Sequence, residues 1–254
     1  MFSLEIECEP DEKDFLIAEL WEQGPAGIVE LNPRVVRAFF EDTVSRSALL
    51  GMYPGSRLRV EEDRDWVQAS RDLLQPMAVG ERFYLAPVWR DDPTPAGRLR
   101  ISVNPGMAFG TGAHESTQLC LEALETYLAP GMTVLDIGTG TGILAEAARL
   151  LGAGKVYACD VDPVAVEIAG AWEHPPLRFL GSADAVRAQS ADVVLANLNP
   201  GIIARLIPHL LAARREGGVL LASGIESHEL GGLQEKMPPP RELRQKGDWA
   251  LIAF

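Results

Sequence analysis

The sequence predicts an α/β chain in which a small α+β domain precedes a larger domain built on a mostly parallel sheet. Three observations lead to this prediction: a β-α-β-β-α-β order over the first 60 residues, regular strand-helix alternation later in the chain, and two closely spaced strand patterns at the carboxyl end. With 254 residues, 47% of them hydrophobic, the chain has enough apolar side chain for a sizeable core.

The amino-terminal domain is predicted from a change of periodicity. Apolar and polar residues alternate from Phe2 to Cys8, as in a half-buried strand, and helical spacing then continues to Gly24-Pro25. The predicted elements are a strand over 2–8, a helix from Asp11, strands over 26–31 and 34–40, a short helix capped by Thr43, and a strand over 57–60. This is the order of the split ferredoxin-like unit, which more often recognises a partner than performs chemistry.

The segment 61–96 is predicted to connect two domains. It is charged at first, has helical spacing from Trp66 to Leu74, and then contains several prolines before a strand over 99–103. The predicted organisation is therefore a ferredoxin-like substrate-recognition domain over 1–60, a connector of helix and proline-rich linker over 61–96, and a second domain over 97–254.

The second domain is predicted to contain a seven-stranded sheet. Its strands are expected over 133–137, 156–160, 177–180, 192–197, 218–222, 241–245 and 249–254, with helices beginning at Ile143, Pro163, Gly201 and Glu226. Alternation of this kind requires parallel pairing, because each helix returns the chain across the sheet. Only three residues separate the last two strands, which predicts an antiparallel hairpin.

Charge and composition exclude some classes of protein. The chain carries 36 acidic and 23 basic residues, a formal charge of −13, which disfavours nucleic acid and anionic lipid as partners. No apolar run reaches the ~20 residues of a membrane span. Cys8, Cys120 and Cys159 lie far apart beside apolar residues, so they are interpreted as reduced buried thiols of a cytoplasmic protein.

A glycine-rich turn follows the strand over 133–137. Its glycines, Gly138, Gly140 and Gly142, would let a cofactor approach the backbone at the carboxyl end of this strand. Asp136 precedes the turn, where an anion disfavours a bound pyrophosphate and favours a cationic group such as an ammonium.

A second acid, Asp160, ends the next strand 22 residues after Gly138, where a carboxylate would hydrogen-bond both ribose hydroxyls of a nucleoside. Together with Asp136 it favours a nucleoside attached to a cation, hence S-adenosylmethionine over NAD. A dinucleotide site and a nonfunctional turn remain as alternatives.

Two more strand ends carry candidate residues. Asp184 could hold an adenine edge, although a helix N-cap is an equally good interpretation. Asn197 could accept hydrogen bonds from an amine and aim its lone pair at a transferable methyl group. Its competing interpretation is a turn residue before Pro200.

A second glycine loop carries a longer motif. Residues 107–117, Met-Ala-Phe-Gly-Thr-Gly-Ala-His-Glu-Ser-Thr, together with Leu-Asp-Ile-Gly-Thr-Gly-Thr-Gly over 135–142, closely resemble the bacterial methyltransferases of large-subunit ribosomal protein eleven. The resemblance extends over the whole chain. It implies a small ferredoxin-like substrate-binding domain before a Rossmann-like class I methyltransferase domain.

The resemblance also implies an activity and its residues. The implied reaction transfers methyl groups from S-adenosylmethionine, leaving S-adenosylhomocysteine, to lysine side chains and the N-terminal α-amine of that ribosomal protein, up to trimethylation. Thr117, Gly138, Asp160 and Asn197 match the family's cofactor-contacting positions, and Phe109, Gly110, Thr111 and His114 lie in its signature loop. The chain departs from the family where Leu198-Asn199-Pro200 follows Asn197, which affects the acceptor side.

The predicted cofactor-binding set is Phe109, Gly110, Thr111, Thr117, Asp136, Gly138, Gly140, Asp160, Asp184 and Asn197. Asn197 and His114 are the candidate catalytic residues; His114 could accept the proton of the amine, and its competing role is a hydrogen-bonding loop anchor. The expected protein is a cytoplasmic monomer without a metal, without direct nucleic-acid contact and without membrane contact. The alternatives are methylation of another protein amine or of RNA, a non-catalytic cofactor-dependent binding protein, and an NAD-dependent oxidoreductase.

Overall fold

The computed structural model describes residues 1–9, 13–32, 34–60, 75–104, 112, 114–234 and 237–254. The chain divides into two compact units, Met1–Leu73 and Leu74–Phe254. The predicted connector helix over 66–74 lies outside the described residues. The predicted domain boundaries at residues 60 and 96 stay predictions.

The first unit has the predicted ferredoxin-like topology. Its elements are β1 (Phe2–Glu7), α1 (Lys13–Glu22), β2 (Gly27–Asn32), β3 (Val35–Phe40), α2 (Arg46–Met52) and β4 (Arg57–Val60). The strands form one antiparallel sheet in the order β2-β3-β1-β4, so β1 lies between β3 and β4. Ser45, not the predicted Thr43, caps α2, because the Ser45 hydroxyl accepts a hydrogen bond from the Ala48 N–H at 3.4 Å.

The core of the first unit follows from the alternation along β1. Phe2 and Leu4 are fully buried on one face of the sheet, where they pack with Phe40 of β3. Leu20 of α1 and Leu49 of α2 belong to the same cluster. Both helices therefore use their apolar side chains to cover this face of the sheet.

The second unit contains the predicted seven-stranded sheet. Its elements are β5 (Met77–Val79), β6 (Phe83–Pro87), β7 (Leu99–Val103), α3 (Glu115–Tyr127), β8 (Thr133–Ile137), α4 (Ile143–Leu150), β9 (Lys155–Asp160), α5 (Pro163–Ile168), β10 (Leu177–Leu180), β11 (Ala191–Asn197), α6 (Pro200–Ala213), β12 (Arg214–Glu226), α7 (Leu230–Gln234), β13 (Glu242–Lys246) and β14 (Trp249–Ala253). The sheet order is β10-β9-β8-β11-β12-β14-β13. The pairs from β10 to β12 are parallel and the last two are antiparallel, which confirms the Rossmann-like sheet and its terminal hairpin.

Two strands occupy part of the segment predicted as a proline-rich linker. β5 and β6 form a three-stranded sheet with β7, and Val79, Phe83 and Leu85 are buried in the core of the second unit. The prolines do not prevent this, because Pro76 precedes β5 and Pro87 ends β6, positions where a missing N–H costs little. Residues 75–96 are thus part of the second unit.

Helices pack on both faces of the central sheet of the second unit. Leu119 and Leu124 of α3 belong to one apolar cluster, and Ile203 and Leu210 of α6 belong to another. Among the described helices, none has the length and hydropathy needed to cross a bilayer. Cys120 and Cys159 are buried free thiols, whereas the free thiol Cys8 is only half-buried.

Candidate functional site

The candidate site lies where the order of strands reverses. β8 is flanked by β9 on one side and β11 on the other, so the chain leaves their carboxyl ends in opposite directions and leaves a crevice there. A cavity of about 440 Å³ opens at this edge. Its polar and glycine lining consists of Ser116, Gly138, Gly140, Asp160, Gly181, Ser182, Asn197, Asn199 and Gly224, and its apolar lining of Ile137, Val161, Leu198, Ile202, Leu206 and Trp249.

The glycine turn after β8 has the backbone conformation that its sequence predicted. Gly138, Gly140 and Gly142 have φ of +70°, +53° and +80°, values that side-chain-bearing residues rarely adopt. The Gly138 and Thr139 N–H groups both donate to the Cys159 carbonyl, at 2.9 and 3.0 Å, which ties the turn to β9. A Cβ at Gly138 would lie 2.2 Å from a methyl carbon of Leu198, so this glycine also makes room for the residue after Asn197.

Asp160 lines the cavity from the end of β9. One of its carboxylate oxygens accepts from the Gly140 N–H at 3.0 Å, and the other accepts from the Asp162 N–H at 3.1 Å. An ionised carboxylate has about four acceptor positions. Asp160 is half-buried and can therefore accept two further hydrogen bonds from a ligand, which fits the predicted contact with two ribose hydroxyls.

Asp136 is placed differently from the prediction. Its side chain is 1% exposed and is absent from the described lining of the cavity, so a direct contact with a cationic ligand does not fit. Its carboxylate accepts from the Thr139 hydroxyl at 2.7 Å and from the Ala145 N–H in the first turn of α4. Because Gly142 at the N-cap has no side chain, Asp136 supplies the cap from the neighbouring strand.

Because Asp136 is buried, its contribution to stability depends on pH. Desolvation raises the pKa of its carboxyl to about 6, although the hydrogen bond from Thr139 acts to lower this pKa. The folded protein thus binds a proton more tightly here than the unfolded chain does, and this residue's contribution to the free energy of unfolding falls as pH rises from about 4 to 6.

We expect Asp136→Asn to remove this contribution. The asparagine has the same shape and no charge, so the unfolding free energy of the variant relative to wild type should rise by about 2 kcal/mol between pH 4 and pH 7. Urea unfolding at both pH values measures the difference, with Asp184→Asn, at an exposed carboxyl, as the control. A constant difference between variant and wild type at the two pH values contradicts the assignment.

Asn197 lines the cavity and has a side-chain acceptor that no described residue satisfies. Its amide nitrogen donates to the Thr117 hydroxyl at 3.2 Å, and Thr117 is 1% exposed at the start of α3. The carbonyl oxygen of the Asn197 side chain is buried and has no hydrogen-bond partner among the described residues. A buried acceptor of this kind needs a donor, and a donor on a ligand would satisfy it.

Gly224 is a site residue that sequence reasoning missed. The pairing of β12 with β14 shifts register between Ser223 and Ile225, and Gly224 has φ of +83° at this bulge. A Cβ at Gly224 would lie 2.5 Å from the Leu198 carbonyl oxygen and 3.0 Å from the Asn197 side-chain oxygen. The sequence did contain a signal for this role: Gly224 lies inside an apolar strand pattern, and a glycine there indicates a bulge or a close approach of another backbone.

We therefore expect Gly224→Ala to lower the unfolding free energy by about 1–3 kcal/mol, because a left-handed conformation is costly for alanine and the contacted carbonyl cannot move freely. Chemical denaturation measures the loss. Gly217→Ala is the matched control, since Gly217 lies in the same strand with φ of +78° but would place its Cβ in open space. Equal losses in the two variants would show that the close approach at Gly224 is unimportant.

His114 has a structural role in the described part of the site. It caps α3, with its Nδ1 atom 3.3 Å from the Ser116 N–H that donates to it, and its ring lies edge-on to Trp249 with 4.3 Å between centroids. This geometry supports the loop-anchor interpretation, because the ring nitrogen Nδ1 is occupied in capping α3. Trp249 also lines the cavity.

The remaining predicted residues divide into two groups. Asp184 is exposed in the short 3₁₀ turn after β10, and Ser182 occupies the N-cap position of that turn. Phe109, Gly110 and Thr111 of the signature loop lie outside the described residues. The structure therefore brings together Thr117, Gly138, Gly140, Asp160 and Asn197 from the predicted set.

Comparison with known proteins identifies the family. The model of the ribosomal protein L11 methyltransferase (PrmA) family matches residues 11–254. The chain belongs to this family. The predicted recognition is confirmed, and with it the class of enzyme: members of the ribosomal protein L11 methyltransferase family are methyltransferases.

Individual relatives agree with the family assignment. The ribosomal protein L11 methyltransferase of Symbiobacterium thermophilum is 39% identical over 215 residues, covering 82% of this chain and 71% of the relative. That of Cupriavidus necator is 42% identical over 207 residues, covering 78% and 68%. A crystal structure of the ribosomal protein L11 methylase from Lactobacillus delbrueckii subsp. bulgaricus has a TM-score of 0.64 at 28% identity, covering 70% of this chain and 96% of that one.

Proposed function

We propose that this chain transfers methyl groups from S-adenosylmethionine to lysine side chains and the N-terminal α-amine of ribosomal protein L11, up to trimethylation. The observation that carries the proposal is the buried, unsatisfied side-chain oxygen of Asn197, which lies beside a glycine turn and a ribose-type carboxylate at one edge of the sheet. These three features supply an acceptor for an amine next to a site for a nucleoside.

The residues present fit S-adenosylmethionine. Asp160 has free acceptor positions for ribose hydroxyls, and the turn at Gly138 and Gly140 has no side chain that would block a ligand. The buried Asp136 supports this turn through Thr139 and α4. Bound S-adenosylmethionine supplies an electrophilic methyl group on a sulfonium, with S-adenosylhomocysteine as the product.

The acceptor side fits an aliphatic amine. Leu198, Ile202, Leu206 and Trp249 give the cavity an apolar wall that can pack against the methylenes of a lysine and exclude water. In the first two transfers, when the neutral amine still carries a hydrogen, the side-chain oxygen of Asn197 can accept its N–H and so orient the nitrogen lone pair.

The chemical step needs a neutral amine. A free lysine has a pKa of about 10.4, and burial beside a positive sulfonium lowers it. With S-adenosylmethionine bound, the neutral amine would take its methyl group, S-adenosylhomocysteine would leave, and one proton per transfer would pass to solvent. Because the displacement has a good leaving group, the protein contributes orientation and desolvation, and no covalent intermediate on the protein is required.

Mass spectrometry tests the proposal directly. Unmodified ribosomal protein L11 is incubated with the full chain and S-adenosylmethionine, and intact and peptide masses are recorded. We expect increments of one to three methyl groups on lysine and α-amine positions. A parallel binding measurement with S-adenosylhomocysteine separates the outcomes: binding without any increment would overturn the acceptor, and no binding would overturn the cofactor.

The first unit is proposed to recognise the protein substrate. Its ferredoxin-like topology supports this role, since such modules commonly bind partners. Cytoplasmic location, a monomeric state and the absence of direct nucleic-acid contact stay predictions from composition and charge. If ribosomal protein L11 gains no methyl group in this experiment, methylation of another protein amine or of RNA becomes the favoured alternative.

A further inference from the structure

One part of the central sheet lacks a covering helix. The crossover from β10 to β11 consists of residues 181–190 and contains only the 3₁₀ turn Ala183–Ala185. Crossovers between parallel strands usually contain an α-helix that covers one face of the sheet. The short connection leaves a groove over β8, β9 and β10, with a cavity of about 600 Å³.

The floor of this groove is apolar and aromatic. Leu135 of β8, Tyr157 of β9 and Phe179 of β10 point to the same face of the sheet, and both aromatic rings are only half-buried. The helix α4 packs on the opposite face. Exposed aromatic rings in a concave surface favour a ligand with a planar apolar group.

The rim of the groove is positive. Lys155, Arg187 and Arg215 line it, and the described lining includes no aspartate or glutamate, although acids outnumber bases by 36 to 23 in the chain. Arg215 is paired with Asp192 at 2.8 Å. Lys155 and Arg187 are exposed and form no ion pair with another described residue, so two positive charges are available to a ligand.

We propose that this groove is a second ligand site, separate from the methyl-transfer cavity, for a small anion with a planar ring, the chemical class of nucleoside monophosphates. Tyr157 and Phe179 would pack against the ring, and Lys155 and Arg187 would bind the anionic group. The two cavities share no described lining residue. A volume of about 600 Å³ suits one small molecule.

Calorimetric titration of the full chain with adenosine monophosphate tests the proposal. S-adenosylhomocysteine is kept at saturation so that the methyl-transfer cavity is filled, and the titration is repeated with Asp160→Ala as a second safeguard. We expect one molecule to bind per chain in both proteins, with adenosine alone and inorganic phosphate alone each binding more weakly. Absence of binding at millimolar adenosine monophosphate would overturn the proposal.

The double variant Lys155→Gln/Arg187→Gln shows whether the rim holds the anion. Loss of two charge-assisted contacts should weaken binding by about tenfold or more. Arg82→Gln/Arg205→Gln is the matched control, since it removes the same charge from exposed arginines of the same unit outside the lining. An equal loss of affinity for adenosine monophosphate in both double variants would mean that the anion is attracted unspecifically. Much tighter binding of a short oligoribonucleotide than of adenosine monophosphate would assign the groove to RNA. Either result would overturn the proposed small-anion site.

Discussion

Replacing Asp160 with alanine is expected to weaken S-adenosylmethionine binding by at least about a hundredfold. Two hydrogen bonds from ribose hydroxyls to a charged acceptor are lost, each with a typical value of about 1.5–3 kcal/mol. The variant also loses the acceptors of the Gly140 and Asp162 N–H groups, so the glycine turn is held less firmly against β9. Calorimetry with S-adenosylhomocysteine measures the affinity without turnover.

Two further variants separate these causes. Asp160→Asn keeps one side-chain oxygen and is expected to lose less affinity than the alanine variant. Asp162→Ala removes the neighbouring carboxylate, which is exposed and caps α5 by accepting from the Val164 N–H at 2.8 Å. Its affinity for S-adenosylhomocysteine should change little. If Asp160→Ala bound S-adenosylhomocysteine as tightly as wild type, the end of β9 could not be the binding site of the nucleoside.

The second large effect is expected for Asn197. Asn197→Ala should lower kcat by about a hundredfold, because a misplaced acceptor amine loses the near-attack geometry. Its effect on S-adenosylhomocysteine affinity should be much smaller than that of Asp160→Ala, since the amine contact is made through the side-chain oxygen. Single-turnover methylation of ribosomal protein L11 measures the rate, and calorimetry measures the affinity.

Thr117 and Asn199 provide the comparison for Asn197. Thr117→Val removes the hydroxyl that accepts from the Asn197 amide at 3.2 Å, so it should lower kcat by an intermediate factor through loss of positioning. Asn199→Ala removes an exposed cap of α6, whose oxygen accepts from the Gly201 N–H at 2.9 Å. This costs about 1 kcal/mol of stability. Asn199 also lines the cavity, but its oxygen already accepts from Gly201, so kcat should fall much less than in Asn197→Ala. Equal kcat in Asn197→Ala and Asn199→Ala would remove Asn197 from the reaction.

Local patterns predicted most of the elements that position the site. Strand-helix alternation located β8, β9 and β11, and the glycines after β8 predicted a turn that requires positive φ. Both signals are local, since periodicity reports which face of an element is buried and glycine reports a backbone conformation. For the same reason Asp160 and Asn197 could be predicted: each ends a parallel strand, and such ends meet at one edge of the sheet.

Contacts distant in the chain were not predictable from these patterns. β5 and β6 are strands because Phe83 and Leu85 find a core supplied by residues far along the sequence, and the nearby prolines obscured them. Trp249 reaches the cavity because β14 pairs with β12, and the role of Gly224 depends on the approach of Leu198. Pairing partners in a sheet are set by the whole topology, so no short window of sequence contains them.

Residue patterns along the chain therefore sufficed to predict the α/β class, the ferredoxin-like and Rossmann-like topologies, the family and the strand ends that carry Asp160 and Asn197. Packing in three dimensions was needed to show that Asp136 is buried as a cap for α4, that His114 anchors α3 beside Trp249, and that the sheet has no covering helix over β8, β9 and β10. Residue type and spacing specify an element and its buried face. The environment of a side chain depends on which other elements pack against it, and only the folded chain establishes that.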